Sequence, residues 1–345
     1  MTAGPFTYSG GKVDPGESVT LRYRISETYL GDPIRIPVSI VNGSEPGPTV
    51  FMTAATHGDE LNGIEVVREV ALDWDHSNLH GTLILLPVLN VPAFLAQQRY
   101  LPIYDRDLNR SFPGDSEGTS AKRMAETIFT NFIAPADLGL DFHTSTRGRT
   151  NMLHVRGDMA DEEVARLAYA FGSHVVIDSA GSEGTLRREA TEIGAPTITI
   201  EMGEAHRFQR GLIDRALDGV ASVFAEYEIH PNEPVQWPGW RTVIDTDAKT
   251  WIRAESGGLV EMHADQGDIV GESEPIATIS NPFKTERTVV ESPWTGLLVG
   301  VLENPVVYPG NPLCHLVELE EKTLAVARDD EVDRNPTRPD PTSSR

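Results

Sequence analysis

The chain has 345 residues and a mass of 37.8 kDa, and its 29 Lys+Arg against 52 Asp+Glu give a formal net charge of −23. That charge repels nucleic acid and anionic membrane, and no apolar run approaches the roughly 18 residues a membrane span needs, so neither partner is expected. With 39% hydrophobic and 23% charged residues, the composition is that of a folded globular protein long enough for two domains around one dominant core.

The single cysteine, Cys314, cannot form an internal disulfide, and the opening "MTAGPFTYSGGKVDPGESVT" lacks the basic start and apolar segment of a signal peptide. A cytoplasmic location is the expectation. Only Lys12, Lys122, Lys249, Lys284 and Lys322 are lysines. An acidic, lysine-poor surface suits a salt-loving host and equally an ordinary acidic enzyme.

Residues 1–46 read as a β-rich extension of strands and turns. From 47 to 228, short apolar β-branched runs alternate with stretches of helical period, the pattern of βαβ units. Strands are expected at 49–54, 81–88, 138–143, 174–178 and 196–202, and helices at 61–72, 120–133 and 160–172. The predicted fold class is α/β, with a mixed, largely parallel sheet flanked by helices. Past "HPNEPVQWPGW" (230–240) the helical period vanishes and short strands recur between glycine turns, which marks a second, all-β domain over 229–320. Its rhythm, "GGLVEMHADQGDIVGESEPIATISNP" and then "VESPWTGLLVGVLENPVVYPGNPLCHLV", resembles the two halves of a lipoyl-like barrel-sandwich. Lys284 is not in the Met-Lys or Asp-Lys setting of a carrier lysine, which points to a structural role for this domain. The stretch 321–345, charged and proline-bearing without periodicity, is expected to be a disordered tail.

In an open α/β sheet, ligands bind beyond the carboxyl ends of the strands, where loops and helix starts converge. Four chemically capable residues fall there: His57 and Glu60 after strand 49–54, His143 closing strand 138–143, and Glu201 closing strand 196–202. A hydrolytic zinc site uses three protein ligands, commonly two histidines and a carboxylate, and leaves a position for water. His57, Glu60 and His143 supply that set, and Gly58 admits an unusual backbone in the tight turn between the first two. Asp141 either orients a histidine ligand or caps a turn. A His-x-x-Glu pair also suits an ordinary helix start, where Glu meets the positive dipole end, and Glu201 could simply pair with an arginine. The irregular segment 106–121 places Asn109 beside Arg110, whose planar fork suits a substrate carboxylate or equally a neighbouring aspartate. Arg99, Arg147, Arg149, Arg187 and Arg188 are further candidates for the pocket wall, and spacing does not choose among them.

"HGDE" (57–60), "DLNRSFPG" (107–114), "DFHT" (141–144) and "IEMG" (200–203), in this order, resemble the succinylglutamate desuccinylase/aspartoacylase family, relatives of the zinc carboxypeptidases, over roughly 45–320. The resemblance implies a zinc-carboxypeptidase-like fold and one zinc ion per chain held by His57, Glu60 and His143. It implies Glu201 as general base and acid, and Asn109 and Arg110 as the grip on a substrate carboxylate or comparable polar group. Arg99 resembles the family's carbonyl-polarising arginine, and Tyr308 is similar to a tyrosine that the C-terminal domain of some members sends into the active site. The segment "STRGRTNMLHVR" is similar to broader members that include N-acetyl-diaminobutyrate deacetylases. The implied activity is hydrolysis of a small N-acylated amine or amino acid, with homo-oligomerisation left open. The alternatives are a zinc carboxypeptidase acting on peptides and a non-catalytic metal-binding module.

Overall fold

A computed structural model describes residues 3–102, 104–231, 234, 240–283 and 287–329; Lys284 lies outside them. Its centre is four parallel strands, Thr197–Glu204, Leu138–His143, Glu45–Ala54 and His80–Leu86, hydrogen-bonded in that spatial order. Their alternation explains the two faces of the sheet, because successive side chains point to opposite sides. Val50, Met52, Ala54, Leu138, Leu140, Phe142, Ile198 and Ile200 join one apolar cluster with helices Asn62–Leu72, Glu162–Phe171 and Arg210–Glu226. Phe51, Ile84 and Leu86 join another with helix Ser120–Ile128 and with Leu186 and Ala190 of helix Leu186–Glu192.

The positions between these apolar residues make a polar row. Thr53 pairs in register with Asp141, Asp141 with Thr199, and His143 with Glu201. On the antiparallel neighbour Arg149–Gly157, Arg156 faces Thr199 and His154 faces Glu201. Cross-strand partners share a face, so carboxylates, imidazoles and a guanidinium line up across four strands at the carboxyl rim.

Three expectations change. The sheet is mixed, as predicted, but not largely parallel: the hairpin Ser18–Glu27/Pro33–Asn42 adds antiparallel strands beside His80–Leu86 and the C-terminal strands add more beyond Arg149–Gly157, while Val175–Asp178 pairs in parallel with Arg149–Gly157 and with Thr242–Ile244. Residues 18–42 are therefore part of the main sheet rather than an appendage. Residue 229 is likewise no sheet boundary: Gly296–Leu302 pairs with Arg149–Gly157 and carries Pro312–Glu318 and Lys249–Arg253 outward, while a four-stranded sheet, Arg287–Glu291, Pro275–Ser280, Gly258–Met262 and Val306–Val307, packs through Ile276 and Met262 against Leu298, Val301 and Leu316. Third, Glu321–Asp329 forms a helix where a structureless tail is expected, since Leu324 and Ala327 pack into the cluster of Leu297, Val299 and Val317. No helix among the described residues is long and apolar enough to cross a membrane.

Two small residues set the entry to the site. Gly63, in the first turn of helix Asn62–Leu72, lies so close to the sheet that a Cβ there would come within 2.4 Å of Phe142 Cβ. The buried Asn62 side chain donates to the Met202 carbonyl at 3.0 Å and accepts from the Gln209 N–H at 2.8 Å, which ties the helix start to the turn after Glu201.

Candidate active site

The chain leaves strand Glu45–Ala54 through Ala55, whose φ of 49° is left-handed, and folds immediately into the His57–Glu60 turn. Asn90 supports this turn, donating to the Thr56 carbonyl at 3.1 Å while accepting from Ala93 N–H at 3.2 Å. Gly58 is needed for a reason other than a permissive φ: its missing Cβ would lie 2.1 Å from the Ala93 carbonyl carbon. The unusual backbone belongs to Ala55, and the close approach belongs to Gly58.

His57, Glu60 and His143 meet, all buried, with one ligand atom from each lying within 4.8 Å of the others. Both imidazoles turn Nδ1 toward the Glu60 carboxylate, His57 at 2.8 Å from Oε1 and His143 at 2.9 Å from Oε2. Both have Nε2 held by an aspartate, His57 by Asp107 at 3.2 Å and His143 by Asp141 at 2.9 Å. Thr53 Oγ1 donates to the other Asp141 oxygen at 2.8 Å. Carboxylates behind metal-ligating histidines fix the tautomer and raise ligand basicity. His57 Nδ1 is buried without a hydrogen bond of acceptable geometry, which is costly for a polar atom unless something else binds it. Two imidazole Nδ1 atoms and a carboxylate, one atom orphaned, fit a zinc ion by donor chemistry and arrangement.

Burial opposes charge on each of these groups, yet the surroundings prevail. Asp141 and Glu60 hold His143 well above the ordinary histidine value, Glu60 and Asp107 raise His57, and the two imidazoles hold Glu60 well below the usual carboxylate range. Protons and a divalent cation compete for the same atoms.

The cluster opens into a cavity of about 270 Å³ whose lining includes Arg99, Asn109, Arg110 and Glu201. All these predicted residues therefore come together. Arg99 Nη1 donates to Glu60 Oε1 at 2.6 Å. Asn109 faces inward with its Oδ1 accepting from Leu186 N–H at 2.9 Å, and Arg110 donates to the Asn109 carbonyl at 2.6 Å. Tyr308 does not come to the site: it is 78% exposed, in the turn after strand Val306–Val307, which pairs with Gly258–Met262 in the smaller sheet.

Sequence reasoning missed several residues. Asn151 Nδ2 donates to Glu201 Oε2 at 3.1 Å, and Gly300 makes room for it, since a Cβ there would meet Asn151 Oδ1 at 2.5 Å. Arg156 Nε lies 3.5 Å from Glu201 Oε1. Arg187, named only as one wall candidate among several, is buried with Nε and Nη1 unpartnered, and burial together with Arg156 pushes it down to about 10. Trp251, from the C-terminal strand Lys249–Arg253, also lines the cavity. The available signal was polar residues at alternate positions of apolar runs, as in "TNMLHVRG", which marks a strand with one face on a site. Five arginines of the lining, Arg99, Arg110, Arg149, Arg156 and Arg187, make it a cationic pocket in a protein of net charge −23.

Fold and site define a mixed α/β protein with a buried His-Glu-His cluster at the strand ends, facing a glutamate across a cationic cavity. The succinylglutamate desuccinylase/aspartoacylase catalytic domain matches residues 46–227, and the chain belongs to that family. The chain is 29% identical over 276 residues to the N-alpha-acetyl-L-2,4-diaminobutyric acid deacetylase of Halomonas elongata, covering 75% of this chain and 78% of that one. It is 28% identical over 204 residues to the succinylglutamate desuccinylase of Burkholderia orbicola, 54% of this chain and 59% of the relative. Among solved structures, the product-bound ectoine utilization protein EutE (DoeB) from Ruegeria pomeroyi superposes with a TM-score of 0.78 at 23% identity, covering 92% of this chain and 98% of that one, a likeness of fold. The relatives' names are those of deacylating hydrolases.

Proposed function

We propose that the protein is a zinc-dependent amidohydrolase that removes the acyl group from a small N-acylated amino acid or related amine. One observation carries this reading: ligand atoms of His57, Glu60 and His143 converge within 4.8 Å, on the rim that also bears Glu201. Zinc held by these three residues would lower the pKa of a water toward ~7 and polarise the acyl carbonyl.

The chain's own residues do the rest. Glu201, oriented by Asn151, accepts a proton from the attacking water as the water oxygen bonds to the acyl carbon. Arg99 supplies positive charge for the oxygen of the tetrahedral intermediate. As the C–N bond breaks, Glu201 returns the proton to the departing nitrogen. Asn109 and Arg110 grip a carboxylate on the amine half, which fixes the amide in line with Glu201. The aspartates behind both histidines keep the ligands oriented.

The cavity, at about 270 Å³, is just under the ~300 Å³ lower end of small-ligand sites, which supports a small amide over a peptide. The strands from 249 to 318 form two packed sheets, and we read them as a lipoyl-like sandwich that walls the site. The test is metal analysis with a screen of N-acetyl, N-succinyl and N-aspartyl amino acids for amine release. Turnover that is lost on chelation and restored by zinc is the expected result. Bound zinc without turnover of any small amide would overturn the assignment.

A further inference from the structure

Every residue lining the cavity other than Trp251 is glycine or carries a polar side chain. Trp251 is thus the one broad apolar surface among the described residues of this wall. It belongs to none of the five apolar clusters that build the core, so its burial does not serve the core. Two residues, His315 and Arg149, hold its ring. His315, opposite it in register on strand Pro312–Glu318, stacks on the indole with centroids 4.6 Å apart and planes 8° apart. The Arg149 guanidinium lies over the ring, 5.4 Å from its centroid. An aromatic side chain fixed in this way is a rigid plate that leaves little side-chain freedom to lose on binding.

We propose that Trp251 is the specificity-determining residue for the acyl group, a plate that meets the hydrocarbon of the acyl chain and limits its length. The inference rests on the deacylase reading above and deepens it. If Asn109 and Arg110 take the carboxylate of the amine half, the acyl half extends from the scissile carbonyl toward another wall. The polar residues of the cavity cannot reward a methylene removed from water, whereas the indole can. The chemical class implied is an amide of a short, unbranched carboxylic acid, with Trp251 excluding longer ones.

The test is a series of N-acetyl, N-propionyl, N-butyryl and N-hexanoyl derivatives of one amino acid, and a second series with acetyl fixed and the amine varied. Both are run on wild type, Trp251→Ala and Trp251→Phe. A methylene in a fitted pocket is worth about tenfold or more in kcat/KM, so Trp251→Ala should shift the ratio of hexanoyl to acetyl turnover upward by at least about that factor. Trp251→Phe should shift it the same way by less, and it carries the test if the alanine variant does not fold. Neither variant should move the amine series. Bound zinc should stay at the wild-type level, which a collapsed site would not allow. An acyl profile identical to wild type, or a shift confined to the amine series, overturns the proposal. If wild type itself turns over none of the amides, the deacylase reading falls, and this inference with it.

Discussion

Replacing Asp141 by asparagine removes a charge and almost no hydrogen bond. Asp141 is wholly buried, accepts from Thr53 Oγ1 at 2.8 Å, and lies 2.9 Å from His143 Nε2. An amide keeps an oxygen for the imidazole N–H and turns its NH₂ toward the threonine hydroxyl, which can accept. What disappears is the anion that would make His143 a better ligand for the proposed zinc. Carboxylates in this position are worth about 10- to 100-fold in metal affinity, or about 1.4–2.8 kcal/mol at 1.4 kcal/mol per decade. Burial and the short distance put Asp141 at the upper end. Asp107 belongs at the lower end, because it reaches His57 Nε2 at 3.2 Å and its side chain is 20% exposed, so water screens it. The assay is zinc titration of the metal-free protein against a chromophoric chelator for wild type, Asp141→Asn and Asp107→Asn. Melting curves of the metal-free forms show that the fold is retained. If Asp107→Asn weakens zinc as much as Asp141→Asn, or if neither changes affinity, the argument from burial and distance is wrong.

Glu201→Gln should lower kcat by about a hundred- to ten-thousandfold with zinc content unchanged; loss of zinc in that variant would contradict its placement outside the ligand set. Gly63→Ala should destabilise the fold by about 1–3 kcal/mol in urea unfolding, because its Cβ would press on Phe142 Cβ at 2.4 Å and Ala54 Cβ at 3.0 Å. His315 is kept neutral, its pKa pushed by burial, then by Arg156 and Lys249, from 6.5 down to about 3. The unfolded chain therefore takes up the extra proton first. The stability His315 contributes is complete above about pH 6.5 and is lost as pH falls toward the folded value, by up to about 1.4 kcal/mol per pH unit. His315→Phe, which retains a ring against Trp251, should flatten that dependence. Equal urea midpoint shifts between pH 7 and pH 5 in both proteins would count against the burial of a neutral imidazole there.

The His57–Glu60–His143 cluster was legible because its signals are local: a strand, a tight turn and a helix in one stretch put His57 beside Glu60, and the end of an apolar run marked His143. The helices with one apolar stripe, such as Glu162–Phe171 with Val164, Leu167, Ala168 and Phe171 buried, were legible for the same reason. Strand Arg149–Gly157 was not, because buried Thr150, Asn151 and His154 break the apolar pattern that announces a strand. Helix Arg210–Glu226 is amphipathic, with Leu212, Ile213, Ala216, Val220 and Val223 buried, and could have been found by its period. The extent of antiparallel pairing in the mixed sheet was out of reach, since which strands pair is a property of partners far apart in the chain. The same limit hid Asp107 behind His57 and misplaced Tyr308, whose neighbours predict a turn but say nothing about which way it faces.

Strand Arg149–Gly157 has Glu201's strand along one edge, while its other edge is divided, residues 149–151 pairing with 300–302 and residues 155–157 with 176–178. That shared edge works as a seam. Cutting the chain at the apparent boundary near 229 would strip part of it and leave unpaired amides and carbonyls open to any passing strand, an invitation to self-association. The two portions therefore cannot be treated as modules to be swapped or expressed apart, and a disturbance in the outer strands has a direct hydrogen-bonded route to Asn151, which donates to Glu201.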